Sequence, residues 1–193
     1  MVFKAKRRTV VTTAAAVVVL LVAALVVTVF THGNSSSASD DGNMVAYPAG
    51  HRPAAPDFAA TSLTGAPINF ASYRGKIVVL NVWGSWCAPC VGEGQTLKYL
   101  DEEYGPKGIA FLGDDIQDTP ADALAFLRSA GITYPSVNDA NGAVEQRLAI
   151  AVPISATPTT LVIDKTGHVA GVIEGAVTYP DMTTLLNDAA VTQ

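Results

Sequence analysis

The sequence predicts an α/β domain of three layers, a mixed β-sheet flanked by helices. Three observations carry that reading. Strand-like and helix-like patterns alternate from Asp57 onward, and the nearly continuous apolar run Ile77 to Val82 has the composition of a central strand covered on both faces. A βαβ order followed by a β-hairpin and a closing helix belongs to mixed sheets packed between layers. With 193 residues the chain has room for one ordinary domain and its appendages.

The domain opens with two short extended pieces, Phe58 to Leu63 and Ile68 to Phe70, joined by Thr64-Gly65-Ala66-Pro67, a predicted N-terminal hairpin. Cys87 follows the central run at a strand-to-helix junction. The helix is expected from Ala88 to Tyr104, with Leu97, Leu100 and Tyr104 at apolar spacing and Gly105-Pro106 as its stop. Gly92 and Gly94 weaken its first half by up to ~1 kcal/mol each relative to Ala. Ile109 to Leu112 reads as the next strand. Thr119 caps a helix with Pro120 in its first position and Asp122 in a box-like pattern, running to Gly131. Tyr134 to Val137 reads as a short strand and Gly142 to Ile150 as a short helix. Thr159 to Ile163 and His168 to Glu174 form an antiparallel hairpin across Asp164-Lys165-Thr166-Gly167. Thr178 caps the closing helix, Pro180 to Asn187.

Ahead of the domain the chain changes character. Val10 to Phe30 holds 21 residues without a charge, which as a helix would span about 31 Å and match a hydrocarbon core of ~30 Å. It reads as a transmembrane anchor, with residues 1–9 as a cytoplasmic basic segment; a cleaved signal is the alternative, because Ser36 and Ala38 offer small residues to a peptidase. Lys4, Lys6, Arg7 and Arg8 precede the run, an arrangement that keeps the N-terminus in the cytoplasm and sends the rest outside. Residues 31–55, rich in Ser, Gly, Asp and Pro, are expected to be a flexible linker reaching about 25 to 30 Å, leaving 56–193 as the folded domain. All 17 acidic residues follow residue 39, against eight basic ones, so this part repels phosphate backbones and nucleic acid is excluded as a partner.

The chain has two cysteines, in Trp86-Cys87-Ala88-Pro89-Cys90. A structural bridge in an exported protein gains most by closing a long loop, and this loop is minimal. In the first turn of a helix, residues three apart lie close enough to bridge and to open again. Unpaired amides and the helix dipole stabilise a thiolate on the first residue, so Cys87 is the expected nucleophile and Cys90 the resolving thiol. A zinc site needs four ligands, which leaves His32, His51 and His168 to help the pair, and two of these stand in or near the linker. Haem attachment would need His where Val91 stands.

At WGSWCAPC the chain resembles the thioredoxin superfamily, and from Ala55 to Glu93 (APDF…LNVWGSWCAPCVGE) it resembles its TlpA/ResA/CcmG-like, membrane-anchored extracytoplasmic branch. The resemblance implies a thioredoxin-like fold with an inserted element, placed at Thr119 to Val137, and chemistry carried by the cysteine pair without metal or other cofactor. It places a cis-proline at Pro158, with Thr157 offering backbone groups to an extended substrate beside Trp86, Ala88 and Pro89. An ordinary trans turn is the alternative, and Pro153 stands nearby. Trp83 reads equally as core. Asn81 stands where cytoplasmic thioredoxins have a buried aspartate, and Glu93 stands where ResA-like proteins carry a carboxylate. There it would exchange a proton with Cys90; the alternative is a solvated glutamate that favours the helix dipole. The branch often has proline where this chain has Gln95. Asp114, Asp115 and Asp118 are expected to form an acidic solvated loop.

Ala88-Pro89 offers neither charge nor imidazole to a thiolate, which favours a reductant. The resemblance implies a thiol-disulfide oxidoreductase reducing disulfides in exported proteins, apocytochrome c among them, and recharged by a membrane thiol electron donor. A disulfide oxidase or isomerase and a non-catalytic binding module are the alternatives. A peroxidase is disfavoured, because Gly84 stands where peroxiredoxins carry the Thr of Thr-x-x-Cys.

Overall fold

A computed structural model of the chain describes residues 44–191. The expected basic segment, the apolar run and residues 31–43 of the linker lie outside the described residues. No helix among those described is long and apolar enough to cross a membrane.

The elements run β1 (Met44–Ala46), β2 (Ala59–Thr61), β3 (Pro67–Asn69), β4 (Val78–Trp83), α1 (Ala88–Tyr104), β5 (Ala110–Ile116), α2 (Pro120–Ala130), β6 (Ser136–Asp139), α3 (Ala143–Leu148), β7 (Thr159–Ile163), β8 (Val169–Glu174) and α4 (Tyr179–Ala190). Six strands form one sheet in the order β1-β8-β7-β4-β5-β6, and β2 pairs with β3 as a separate hairpin. β4, β5 and β6 are parallel, while β7, β8 and β1 join in antiparallel fashion. This is the mixed, thioredoxin-like sheet.

β4 is buried along its whole length, as its unbroken apolar run requires. Val79 and Trp83 face one core with Leu97 and Leu100 of α1, Leu127 of α2 and Leu185 of α4. Val78, Leu80 and Val82 face the other, built with Phe58, Phe70, Val144 and Leu148. The hairpin therefore belongs to the second outer layer, where the Phe58 and Phe70 rings stack with centroids 4.9 Å apart. Despite Gly92 and Gly94, α1 is continuous. Gly94 is where α2 comes close: a Cβ there would meet that of Ala130 at 3.4 Å. The stretch Thr119 to Val137 holds α2 and leads into the edge strand β6; Thr119 accepts the Asp122 amide at the start of α2, and Gly131, at φ 69°, ends it.

Three expectations need correction. The linker was expected to be unpacked to residue 55, but the chain is part of the domain from Met44: β1 pairs with β8, and Arg52 is buried. The Arg52 guanidinium bonds Asp164 at 3.0 Å and the carbonyls of Asp188 and Val191 at 2.7 and 3.2 Å. A half-exposed edge strand has no apolar alternation to betray it. Second, β5 does not end at Leu112. Gly113-Asp114-Asp115 has a turn-like composition, yet it is held between β4 and β6, and pairing on both sides overrides its low strand propensity. Third, the strand expected over Tyr134 to Val137 forms two residues later, because register with β5 begins at Gly113 and Ser136.

Candidate redox site

After β4 the chain turns through Gly84-Ser85-Trp86 into α1, with Cys87 as the N-cap residue at φ −87°, ψ 108°. Its Sγ accepts the Cys90 amide at 3.2 Å. Pro89 stands in the first turn, where a missing N–H costs nothing. Cys87 and Cys90 are joined in a disulfide with their Cα atoms 5.3 Å apart. Both are buried, while Trp86, Ala88 and Pro89 are exposed around them. Once the bond is reduced, the amides of the first turn favour negative charge on Cys87, the residue whose Sγ accepts one of them, whereas Cys90 stands inside the helix.

The Thr157-Pro158 bond is cis, and Pro153 is not among the cis peptides of the described residues. Thr157 brings its carbonyl oxygen to 3.5 Å from Cys87 Sγ. The loop is fixed from the β8 side: Glu174 accepts the Ser155 amide at 3.1 Å, and the Gly175 amide donates to the Pro158 carbonyl at 2.8 Å. Trp83 is core, its ring centroid 4.9 Å from that of Phe126.

Glu93, one turn beyond Cys90, is 2% exposed and so is not a solvated glutamate. Its Oε1 accepts from Asn81 Nδ2 at 2.9 Å and its Oε2 from the Val177 amide at 2.7 Å. Asn81 also donates to Thr160 Oγ1 at 3.0 Å. Burial pushes the Glu93 carboxyl up to about 7, against the two hydrogen bonds, which pull the other way. A carboxyl poised there can take or give a proton near neutral pH. Burial, followed by the charges of Glu93 and Asp101, also raises the Tyr134 phenol.

A profile of the AhpC/TSA family matches residues 52–172. The chain belongs to this family. It is 34% identical over 128 residues to the thiol-disulfide oxidoreductase ResA of Geobacillus kaustophilus, covering 66% of this chain and 71% of that protein. It is 28% identical over 124 residues to ResA of Bacillus subtilis, covering 64% and 67% respectively. Among solved structures, a DsbF homologue from Corynebacterium diphtheriae superposes with a TM-score of 0.70 at 34% identity, covering 80% of this chain and 99% of that one. A secreted thiol-disulfide isomerase from Corynebacterium glutamicum gives 0.71 at 31% identity, covering 82% and 98%. This AhpC/TSA protein is a thiol-disulfide oxidoreductase with a thioredoxin-like fold.

In this AhpC/TSA domain Cys87, Cys90, Trp86, Ala88, Pro89, Thr157 and Pro158 lie around one disulfide, with Glu93 behind it. The sequence did not reveal the Thr160 and Val177 partners of that network. Nor is the acidic cluster a solvated loop: Asp114 and Asp115 are buried in β5, and their carboxyl oxygens lack a conventional donor. Burial first, then Asp139, Glu145 and Asp115, drives Asp114 well above the usual carboxylate range. Among the described residues no group of three or more His, Cys, Asp or Glu side chains could hold a metal ion. The signal that could have exposed the cluster was its position: it continues a strand already bounded by Phe111 and Leu112.

Proposed function

We propose that the domain reduces disulfides in exported proteins on the outer side of a membrane, with apocytochrome c among its substrates. The observation that carries this reading is the asymmetry of the pair: Cys87 caps α1, accepts the Cys90 amide and adjoins exposed Trp86 and Ala88, whereas Cys90 stands inside α1 one turn before buried Glu93. The Cys87 thiolate attacks a substrate disulfide, forming a mixed disulfide and releasing one substrate thiolate. Glu93 takes the Cys90 proton. Cys90 then attacks Cys87 Sγ, which expels the second substrate thiolate and closes the Cys87–Cys90 bond, so two electrons pass to the substrate. Exposed Trp86, Ala88 and Pro89, with the Thr157 backbone next to Pro158, receive the substrate chain. A membrane thiol donor returns the electrons, and the apolar run 10–30 holds the domain at the membrane.

Similarity to a DsbF homologue and a secreted isomerase supports a second reading, a disulfide oxidase or isomerase. The reduction potential separates the two: a value above about −180 mV, in the range of isomerases and oxidants, would rule out the reductase. Cys90→Ser is expected to trap substrates as mixed disulfides with Cys87, and their identities name the substrate class. If no adducts form in cells and Cys87→Ser leaves the phenotype intact, the protein is a binding module instead.

A further inference from the structure

The segment that delivers Cys87 is tied to the exit of β5. The Ser85 amide donates to Asp118 Oδ2 at 2.7 Å, and Trp86 Nε1 donates to the Ile116 carbonyl at 3.2 Å. Gln117, between these two acceptors, has φ 51°, the left-handed region that a residue with a Cβ seldom enters. Both of its neighbours thereby contact the strand-to-helix turn that precedes Cys87. Asp118 Oδ1 takes the Thr119 amide at 2.7 Å, so both oxygens are engaged. Gly84 completes the arrangement: a Cβ there would lie 2.4 Å from Trp86 Nε1, so the indole lies close against a residue that must be bare. Trp86 is 54% exposed and yet pinned at its N–H. It forms a fixed platform next to the disulfide.

Near Asp118 stands Asp115, buried, with no hydrogen-bond partner for either carboxyl oxygen. A buried carboxyl without a partner favours its neutral form, because ionising it there costs desolvation and repulsion from neighbouring acids. The charged groups around Asp115 are all acidic: Asp118 from the loop, Asp139 from the end of β6, and its chain neighbour Asp114. From β4 it is paired with Trp83, which does not titrate. Burial, then the Asp118 charge, pushes Asp115 up to about 8. At neutral pH Asp115 is thus held in its protonated form.

We propose that Asp118, beside buried Asp115, is a positioning residue of the redox site, holding Ser85 and through it the adjoining Trp86, so that the Trp86 platform and Cys87 meet an incoming polypeptide in one fixed arrangement. The inference rests on the oxidoreductase activity and not on its direction. A polypeptide uses the platform; a small aryl disulfide needs only the sulfur.

The test compares insulin with a small aryl disulfide as substrates of the reduced full-length chain. Asp118→Asn offers one acceptor oxygen to two amides, and KM for insulin is expected to rise about fivefold while the aryl disulfide rate changes less than about twofold. In the wild type the ratio of the two kcat/KM values, which cancels the titration of the thiol itself, is expected to fall as pH rises through about 8. Asp115→Asn removes the titrating group and should hold the ratio constant across that range. Equal slowing of both substrates by Asp118→Asn, no slowing of either, or a pH-dependent ratio that survives Asp115→Asn overturns the proposal.

Discussion

Replacing Glu93 with Gln tests whether the fold bears the cost of a buried charge at the redox site. The carboxyl has an ordinary value of 4.5 and is raised to about 7, chiefly by burial. At 1.36 kcal/mol per pKa unit, that gap makes the ionised form about 3 kcal/mol less favourable in the fold than in the unfolded chain. Between pH 4.5 and 7 the folded protein holds a proton that the unfolded chain has released, so stability falls as pH rises through this window and levels off above it. Gln does not titrate. Its Oε1 can accept the Val177 amide, and its NH2 can face Asn81 once the Asn81 amide turns over and Thr160 Oγ1 donates to it, so the network stays satisfied. In urea unfolding of the oxidised protein, Glu93→Gln should gain on the wild type by about 3 kcal/mol between pH 4 and pH 8. The same variant should slow closure of the Cys87–Cys90 bond, the step for which Glu93 is the proposed base. An equal stability difference at pH 4 and pH 8 would refute the reasoning, because it would mean that Glu93 does not carry the pH dependence.

Two further outcomes follow from packing. Arg52→Ala leaves Asp164 buried without its cation, so a loss of about 3 to 5 kcal/mol is expected in denaturant unfolding; a change within experimental error would show that residues 44–55 do not contribute to the domain. Gly92 is exposed in α1, and a Cβ there meets nothing within 4 Å, so Gly92→Ala should stabilise by about 0.5 to 1 kcal/mol without altering activity. A destabilisation measured in the same assay would show that the start of α1 departs from regular helix.

The elements legible in the sequence were those whose signal is local. The hairpin turn at Thr64 to Pro67, the central strand, the bounds of α1 and the Thr119 and Thr178 caps each depend on a few adjacent residues, and all appear where expected. The cis bond at Pro158 was legible only through resemblance, since nothing in Thr157-Pro158 by itself separates cis from trans. β1 was hidden because an edge strand with exposed side chains looks like a linker. Asp114 and Asp115 were misread because acidic residues are rarely buried without partners, and composition carries no trace of the strands on either side.

For Cys87 and Cys90 the sequence alone determined that the pair sits in the first turn of a helix after a buried strand, since a CxxC spacing, an apolar run and a helix start are all written within about twenty residues. Tertiary structure decided what surrounds it. Glu93 is a buried acid because Asn81 from β4 and the Val177 amide converge on it, and Asp118 holds the approach to Cys87 because β5 ends beside β4. Those partners lie 12, 33 and 84 residues away along the chain. Local propensity cannot encode contacts at such separations; they form only when the sheet and its two layers close around the pair.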